Sequence, residues 1–300
     1  MRSDTLPQIS IGLPVFNGEP FLSEAIESVL NQSYTNLELV ISDNGSTDGT
    51  EAICRAYAAQ DSRIRYFRSD DNKGASWNYN RTFELARGEY FRWFAADDIL
   101  APTLLEKSGA ILDKHAEIVL CFTGIVDIDS DGNELEVKYS TVQSDAPEAH
   151  LRFRGLGEVR PSHNCEEVFG LVRSALLART KLIDNYPDSD RTLLAELGLY
   201  GPFFEIAEPL FLHRLHDQGS VTANPTRHDR AIWFDPGLSH KLVFPNWRQL
   251  YEMLRVPLRV PLSTKERLLC YRHMLTWVKR RRKQLRGDIA WARKQILSQH

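Results

Sequence analysis

Two hydrophobic periodicities alternate along the first hundred residues. Four short apolar runs are rich in β-forming residues and predict strands at 8–15, 37–42, 64–67 and 90–94. Between them, apolar residues recur at helical spacing, which predicts helices at 20–30, 48–60 and 76–86. Strands that alternate with helices in this way are typical of a parallel sheet covered by helices on both faces, so the sequence predicts an α/β fold.

Polar residues follow two of these strands directly. Residues 43–46 come after the second strand, and Asp97-Asp98 comes after the fourth. Ligands of open α/β sheets bind at the carboxyl edge, just beyond the ends of the strands. We therefore expect both clusters to lie in one ligand site.

Beyond residue 115 the hydrophobic pattern is looser. The predicted elements are strands at 118–123, 125–128, 168–172 and 208–216 and a helix at 190–199. Residues 140–161 are polar and predict an irregular segment, while the chain from about 227 is helical with a break at 257–261. This pattern divides the chain into an α/β domain over 1–225 and a helical C-terminal extension over 226–300.

The formal net charge of −3 conceals a strong asymmetry. Residues 241–300 contain fifteen Lys and Arg but three Asp and Glu, which gives about +12 there (15 − 3) and about −15 elsewhere (−3 − 12). The basic run at 279–283 is flanked by apolar residues, namely Trp277, Leu285, Ile289 and Trp291. This amphipathic arrangement suits an anionic membrane surface, although a solvated cationic helix packed on the domain explains it equally. Nucleic acid is not an expected partner, because the aromatic and basic motifs of RNA-binding modules are missing.

Cysteine usage and hydropathy indicate the compartment. The four cysteines form no Cys-x-x-Cys pair, which favours neither a zinc site nor a disulfide framework and fits a reducing environment. Residues 1–8 form no apolar signal region, and no apolar run approaches the ~20 residues that span a bilayer. We expect a cytoplasmic protein, peripheral at the inner face of the membrane if its basic segment binds lipid.

Asp97-Asp98 carries the most specific chemistry in the sequence. Two adjacent carboxylates after a buried strand repel one another unless a cation or solvent neutralises them, and Mn²⁺ or Mg²⁺ takes such oxygen ligands together with substrate phosphates. A metal held there would clamp a diphosphate. The alternative is an acidic turn that caps the helix starting near Pro102. Residues 43–46 could likewise hold a base or a ribose, or form a plain turn.

Three residues of the second half are candidates for further chemistry. Asp190 is either the N-cap of a helix or a general base that takes a proton from an acceptor hydroxyl. Arg214 and His216 end a strand, where they could bind a diphosphate. His216 could instead ligate the metal through a neutral imidazole, or be structural. Spacing alone leaves these alternatives open.

Taken in order, these pieces resemble the family-2 glycosyltransferases of the GT-A fold. The matching pieces are Pro14-Val15-Phe16-Asn17, residues 31–34, residues 39–50 around Asp43-Asn44-Gly45-Ser46, Asn72-Lys73-Gly74, residues 86–90 and Asp97-Asp98. Later matches are limited to 189–190, 208–210 and 214–216. The resemblance implies a Rossmann-like, mostly parallel sheet flanked by helices. Its nucleotide-binding half would lie at 7–101, its acceptor half at 102–225 and its helical extension at 226–300.

The resemblance also assigns roles to individual residues. The donor nucleotide is expected to contact Pro14, Val15, Phe16, Asn17, Glu19, Asp43, Asn44, Asn72 and Asp97. Asp98 would be the principal metal ligand with His216 beside it, Arg214 and His216 would face the diphosphate, and Asp190 would be the catalytic base. The chain departs from the family pattern at three places. Asn44 replaces a carboxylate that accepts from uracil N3–H, Tyr79 replaces an arginine, and Ala95-Ala96 leaves the metal fewer acidic ligands.

The implied reaction is inverting transfer of a sugar from a nucleotide diphosphate sugar to a hydroxyl of a saccharide or lipid-linked acceptor, as in the synthesis of cell-surface polysaccharide or glycolipid. Asp190 would deprotonate the acceptor, and a metal with Arg214 or His216 would stabilise the departing diphosphate. Two alternatives are a non-catalytic nucleotide-sugar-binding protein of the same fold and a sugar nucleotidyltransferase. The Gly-rich phosphate loop expected of the second is not evident near the first strand.

Overall fold

The first part of the chain follows the predicted alternation of strands and helices. The computed structural model describes residues 6–158 and 165–298. Its first elements are β1 (Ile9–Val15), α1 (Leu22–Leu30), β2 (Leu37–Asp43), α2 (Thr50–Gln60), β3 (Ile64–Arg68), α3 (Ala75–Leu85) and β4 (Tyr90–Trp93). β1 pairs in parallel with β2 and β4, and β2 pairs in parallel with β3. The predicted parallel α/β arrangement is therefore confirmed.

The second part extends the same sheet with mixed strand directions. Its elements are β5 (Ile99–Leu100), α4 (Leu104–Lys114), β6 (Leu120–Ile128), β7 (Glu134–Lys138), α5 (Ala149–Gly157), β8 (Leu171–Arg173), α6 (Ser174–Leu177), α7 (Ser189–Tyr200) and β9 (Phe203–Arg214). β6 and β9 run parallel, whereas β8 is antiparallel to both β4 and β6. The strand order is β3-β2-β1-β4-β8-β6-β9-β5, with β7 beside β6.

Several predicted boundaries in this part are wrong. The strands predicted at 118–123 and 125–128 form the single strand β6, because all nine of its residues are buried and no turn interrupts it. The strand predicted at 168–172 is reduced to β8, which follows a short 3₁₀ turn. The strand predicted at 208–216 is β9, which begins earlier and ends at Arg214.

The irregular segment predicted at 140–161 contains a helix. α5 buries Phe153 and Leu156, so its few apolar residues are enough to anchor it even though the segment is polar on average. Residues 159–161 of the predicted segment lie outside the described residues. The helix matters for the site because α5 packs directly against α7, which carries Asp190.

The C-terminal extension is helical, as predicted. The short helix α8 (Ser220–Ala223) precedes it, and its own helices are α9 (Arg227–Phe234), α10 (Pro245–Arg259) and α11 (Thr264–Ser298). α10 continues through Pro257, so the break lies after Arg259 and not at the proline itself. No helix in the described ranges is both long enough and apolar enough to cross a membrane.

One hydrophobic core lies on each face of the sheet, and β4 separates them. Phe91 and Trp93 point into the core formed with α5, α7, α10 and α11, while Tyr90 points into the core formed with α1 and α4. Trp277 and Leu285 of α11 belong to the first core. For these two residues the alternative of a helix packed on the domain holds, because both side chains are buried there. Membrane binding by the basic segment stays a prediction.

Candidate active site

The carboxyl ends of β1 and β2 carry two loops that are tied to each other. The Asn44 N–H donates to the Val15 carbonyl oxygen at 2.9 Å. Asn17 has a left-handed φ of 54°, which asparagine tolerates better than most residues, and its Oδ1 accepts from the Thr47 N–H at 2.9 Å. In return the Asn17 N–H donates to Ser46 Oγ at 2.9 Å. The two segments expected around the donor nucleotide are therefore held as one unit.

The other residues expected at the end of β1 differ in exposure. Pro14 and Val15 are buried in the strand, whereas Phe16 exposes 46% of its surface. Glu19 is exposed, and its Oε2 accepts from the Gly49 N–H at 2.8 Å at the start of α2. Phe16 thus offers a flat apolar ring on which a planar base could stack.

Asp43 is completely buried and its carboxylate is satisfied by the protein. Oδ1 accepts from the Ser46 N–H at 2.8 Å, and Oδ2 accepts from the Tyr66 hydroxyl at 2.7 Å. Arg68 Nε lies 3.4 Å from the same Oδ2. Burial and the bond to Asp43 both raise the pKa of Tyr66, so this hydroxyl stays a donor. The arrangement supports the loop shape and leaves Asp43 few ways to contact a ligand.

Asn44 holds the loop at residues 72–74 through N–H donors that a carboxylate does not have. Its Nδ2 donates to Asn72 Oδ1 at 2.9 Å and to the Gly74 carbonyl oxygen at 3.1 Å. Its Oδ1 accepts from the Lys73 N–H at 3.0 Å. The amide at this position is therefore required by the conformation of residues 72–74, which gives a physical reason for its departure from the family pattern.

Gly74 lets a C-terminal helix approach this loop closely. Its φ is +90°, and a Cβ atom there would lie 2.4 Å from the Phe234 carbonyl oxygen at the end of α9. Only glycine combines that backbone conformation with that contact. The donor-side loop is consequently covered from outside by the C-terminal part of the chain.

Asp98 is a buried carboxyl group with incomplete hydrogen bonding. Its Oδ1 accepts from the Arg214 N–H at 3.0 Å, while its Oδ2 receives no hydrogen bond from the described part of the chain. The pKa of Asp98 is raised to about 8, mainly by burial and secondly by the neighbouring Asp97 charge. Without a bound cation, the group therefore carries its proton at neutral pH.

Asp97 and His216 meet beside this carboxyl group. His216 Nε2 lies 2.9 Å from Asp97 Oδ2, and the imidazole packs edge-on against Phe21 with the ring centroids 4.9 Å apart. The backbone oxygen of Asp97 accepts from Arg214 Nε at 2.9 Å. The structure thus brings together the acidic pair of the first half and the histidine of the second.

Arg214 is buried and largely committed to the protein. Besides Asp97, its guanidinium donates to the Asp129 and Ser130 carbonyl oxygens at 3.2 and 3.0 Å and to Glu24 on α1. Four of its five N–H donors are therefore used, which leaves one without an acceptor among the described residues. Its position fits a residue that holds Asp97 and Asp98 in place better than one that grips a ligand.

Two residues that sequence reasoning did not assign lie near Asp98. Arg92 is fully buried in β4, stacks 5.0 Å from the Phe211 ring, and has its pKa lowered to about 9 by burial. Burial alone would lower the pKa of His213, but Asp98 and Asp127 raise it above its usual value. A charged residue inside an otherwise apolar strand was the available signal for Arg92, whereas nothing in the sequence marked His213.

Tyr79 lies close enough to the acidic pair and to Asp190 to interact with their charges. Burial is the main cause that raises the pKa of the Tyr79 phenol, and the charges of Asp97, Asp98 and Asp190 raise it further. The hydroxyl is therefore protonated and lies within electrostatic reach of all three carboxylates. Because α3 carries Tyr79 at the position where the family pattern has an arginine, a neutral donor replaces a cation in this part of the site.

Asp190 lies in the first turn of α7 and is not its N-cap. The helix begins at Ser189, and Asp188 occupies the N-cap position with a left-handed φ of 65°. The interpretation of Asp190 as a cap is therefore wrong. Asp190 Oδ1 accepts from the Arg191 N–H at 2.7 Å, and an anion in a first turn interacts favourably with the helix dipole. Both features hold the carboxylate at the positive end of α7.

A divalent cation fits this site only with help from a ligand. Among the described residues none donates to Asp98 Oδ2, and burial together with the neighbouring Asp97 charge raises the pKa of Asp98. Both observations point to a position where a cation would be accepted. No group of three or more His, Cys, Asp and Glu residues within the described ranges is arranged to hold a metal. Mg²⁺ in proteins is often held by one or two carboxylates, with water and substrate phosphates supplying the rest.

Comparison with known sequences finds a family match over the first part of the chain. Residues 10–171 match the family model Glycosyl transferase family 2. The chain is similar to the putative glycosyltransferase EpsE of Bacillus subtilis, with 35% identity over 50% of this chain and 52% of that protein. It is also similar to the glycosyltransferase GlyG of Streptococcus pneumoniae, with 34% identity over 37% of this chain and 38% of that protein. The chain thus spans about half, or less, of the length of these relatives.

Solved structures share the fold over nearly the whole chain. S. aureus TarS 1-349 in complex with UDP-GlcNAc covers 98% of this chain and is itself covered to 92%, with a TM-score of 0.57 and 17% identity. The mannosyltransferase PcManGT from Pyrobaculum calidifontis, in complex with GDP-Man and Mn²⁺, gives a TM-score of 0.51 and 15% identity over 98% of this chain and 88% of that one. These likenesses establish the fold, including helices that follow the sheet.

Proposed function

Because the chain belongs to glycosyl transferase family 2, we propose that it catalyses inverting transfer of a sugar from a nucleotide diphosphate sugar to an acceptor hydroxyl. The observation that carries the proposal is the Asp97-Asp98 pair at the carboxyl edge of the sheet, beside His216 and within electrostatic reach of Tyr79. Proteins of the same fold were solved with UDP, UDP-GlcNAc or GDP-Man, which favours a nucleotide sugar as the donor.

We assign recognition of the donor base to the ends of β1 and β2. Phe16 would stack on the base, with Asn17 and Asn72 supplying polar groups at the same edge. The side chains of Asp43 and Asn44 are already hydrogen-bonded within the protein, so in this proposal they shape the pocket without selecting the base. Uracil then has no carboxylate at position 44 to accept its N3–H, and the identity of the base is left to experiment.

The proposed diphosphate site is built from Asp98, Asp97 and His216. These residues would hold Mn²⁺ or Mg²⁺ together with the phosphates, and the cation would offset the negative charge of the leaving group. His216 would offer an N–H to a diphosphate oxygen. Arg214 would act mainly by positioning, since its N–H groups hold the backbone of Asp97 and the side chain of Asp98 in place.

The proposed transfer is a single displacement. Asp190 takes the proton of the acceptor hydroxyl, whose oxygen attacks the anomeric carbon from the face opposite the diphosphate. The new carbon–oxygen bond forms as the bond to the diphosphate breaks, so the configuration inverts and the nucleoside diphosphate leaves. We propose a saccharide or lipid-linked acceptor of cell-surface polysaccharide or glycolipid synthesis.

The first experiment measures donor binding by thermal shift. Nucleoside diphosphates and nucleotide sugars of each base are tested with and without Mn²⁺ or Mg²⁺. Stabilisation by one base, larger with metal, is expected, because a ligand that binds only the folded state raises the melting temperature. No shift with any nucleotide would count against the transferase proposal. Pyrophosphate release from a nucleoside triphosphate and a sugar phosphate would instead support a nucleotidyltransferase.

The base is tested with Asp190→Asn. Loss of general-base catalysis is expected to lower the transfer rate by about 10²–10⁴-fold, with the nucleotide thermal shift unchanged. Asp131→Asn, which makes the same change in an exposed turn, serves as the matched control. Transfer at the wild-type rate by Asp190→Asn would refute its role, and nucleotide binding without transfer by the wild-type protein would support the non-catalytic alternative.

A further inference from the structure

The C-terminal helices carry most of the exposed apolar surface of the described residues. Twelve of the nineteen large hydrophobic side chains that are exposed lie between residues 242 and 297. Where such side chains form a contiguous patch, they mark a site where a protein contacts another molecule or a membrane. Neither donor binding nor transfer, as proposed above, uses these residues.

On α10 the exposed apolar side chains follow one line. The α10 stripe consists of Trp247, Tyr251, Leu254 and Leu258, which are spaced by three or four residues and therefore share one helix face. Each exposes between 38% and 63% of its surface. Arg255 is exposed beside the stripe and stacks on the Tyr251 ring at 5.3 Å.

On α11 a second line combines apolar and cationic residues. The α11 stripe consists of Leu275, Val278, Arg282, Arg286, Ile289 and Arg293, all exposed and again spaced by three or four residues. The adjacent side of the same helix buries Met274, Trp277 and Leu285 in the domain core. α11 is therefore amphipathic, but its free face differs from the one that the sequence predicts.

The two stripes meet because α10 and α11 form an antiparallel hairpin. The Asn246 N–H, at the start of α10, donates to Asp288 near the end of α11 at 2.8 Å. At the other end of the hairpin, Arg267 Nε donates to the Pro257 carbonyl oxygen at 3.0 Å. Trp247 of the α10 stripe itself reaches α11, since its Nε1 donates to the Leu285 carbonyl oxygen at 2.9 Å.

Both stripes lie on the side of this seam that faces away from the domain. Contacts with the domain come from other helix faces, for example Arg259 of α10 to Glu196 at 2.6 Å and Trp277 Nε1 of α11 to the Gly157 carbonyl oxygen at 3.2 Å. With 3.6 residues per turn, these faces and the stripes fall on opposite sides of the α10–α11 contact. The stripes therefore form one continuous surface, which we call the hairpin face.

The charge of the hairpin face identifies the partner. α11 contains eleven Lys and Arg and two Asp and Glu, an excess of nine positive charges (11 − 2). Arg282, Arg286 and Arg293 make no ion pair with any residue in the described ranges. A second copy of the chain would bring like charges together, which disfavours pairing through this face. An anionic lipid surface complements both the cations and the apolar side chains.

We propose that the hairpin face binds the surface of an anionic lipid bilayer, with Trp247, Tyr251, Leu254, Leu258 and Leu275 entering the headgroup boundary and the arginines contacting lipid phosphates. The helices lie along the membrane and do not cross it. The proposal rests on the proposed function in one respect only, namely that a lipid-linked acceptor would be presented at the same surface.

The proposal is tested by co-sedimentation of the full chain with vesicles. The wild type should bind vesicles containing about one-third phosphatidylglycerol, bind neutral phosphatidylcholine vesicles weakly, and dissociate as salt is raised. Arg282→Glu with Arg286→Glu, and separately Leu254→Glu with Leu258→Glu, should each weaken binding about tenfold or more. Matched controls are Lys114→Glu with Arg179→Glu, and Leu135→Glu with Val137→Glu, at exposed positions elsewhere.

Three outcomes would overturn the proposal. These are absence of binding to anionic vesicles, equal loss of binding in the control variants, and a dimer in light scattering that the hairpin variants dissociate while vesicles are not bound. Nucleotide thermal shifts are measured on the same variants. Since those shifts depend on the donor site alone, failure of vesicle binding and failure of donor binding are distinguished.

Discussion

Two polar clusters at the same sheet edge differ in how far the protein satisfies them. The cluster at the end of β2 is fully hydrogen-bonded at Asn44, because every polar atom of this side chain has a partner in the loop at residues 72–74. The cluster after β4 holds two neighbouring carboxyl groups, and one oxygen of Asp98 has no protein donor among the described residues. The first cluster is complete without a ligand, whereas in the proposed function the second would be completed by one.

This difference indicates that the first cluster maintains the conformation of the site, whereas the second supplies its reactive groups. Buried polar groups with full hydrogen bonding specify a single conformation, whereas a buried carboxyl group with an unfilled oxygen is a place where a proton or a cation binds. Substitutions in the first cluster are therefore expected to change stability, and substitutions in the second to change metal response and turnover.

Between the two clusters, the largest expected effect comes from Asp98→Asn. Removing the carboxylate that would hold the cation should lower transfer by about 10²–10³-fold, the range seen when one electrostatic contact to a transition state is lost. The metal-dependent part of the nucleotide thermal shift should disappear. The melting temperature without ligand should not fall, because the amide is neutral like the protonated carboxyl group that it replaces. Turnover that keeps its metal dependence in this variant would remove Asp98 from the proposed cation site.

Asn44→Asp is expected to destabilise the protein without a direct effect on the acidic pair. A carboxylate would face Asn72 Oδ1 and the Gly74 carbonyl oxygen, two acceptors that it cannot satisfy. The free energy of unfolding should fall by roughly 2 kcal/mol, the typical penalty for buried groups left without partners. Urea denaturation measures it, with Asn36→Asp at an exposed position as control. Equal stability of the two variants would show that the loop does not depend on the amide.

The wild-type protein should also lose stability as pH rises when no cation is present. The folded-state pKa of Asp98 is raised to about 8 from a usual value of 3.8, so the folded state binds more protons than the unfolded state between these values. The contribution of the protonated group is therefore full below pH 4 and is lost progressively up to about pH 8. A melting curve series from pH 5 to 9, wild type against Asp98→Asn, isolates this contribution. Parallel pH profiles of the two proteins would contradict the assignment.

Tyr79→Phe should give the smallest effect. Loss of one neutral hydroxyl near Asp97 and Asp190 is expected to reduce kcat about fivefold, equivalent to one ordinary hydrogen bond, with the melting temperature nearly unchanged. Steady-state kinetics with Tyr139→Phe, an exposed tyrosine, as control provide the measurement. A loss as large as that of Asp190→Asn would mean that the phenol takes part in proton transfer.

The first four strands could be predicted because their patterns are strong and local. β1 and β2 are buried along their whole length, and turn-forming residues follow each of them. Their spacing also placed Asp97-Asp98 at a ligand-binding edge. α5 could not be predicted, because its stability comes from Phe153 and Leu156 packing on α7, and that contact is not visible in a polar segment.

The contacts across the site were beyond the reach of sequence patterns. His216 meets Asp97 only because β9 pairs with β5, and these residues are 119 positions apart in the chain. The sequence shows that Asn44 departs from the family pattern, but the cause of that departure is visible only from the atoms that its side chain faces. Arg214 was expected to bind a diphosphate, whereas its burial and its four protein contacts are set by tertiary packing.

The start of α7 has a consequence for exchanging segments between relatives. Asp188, two residues before Asp190, bonds to Arg227 at 2.7 Å, lies 3.5 Å from Arg281, and accepts from Gln249 through its carbonyl oxygen at 3.2 Å. Three C-terminal helices thus hold the residue from which the proposed base projects. In a chimera, the segment 165–200 and the helices from 227 onward would therefore have to be inherited together. Recombination breakpoints between them should yield proteins that still bind the nucleotide and no longer turn over.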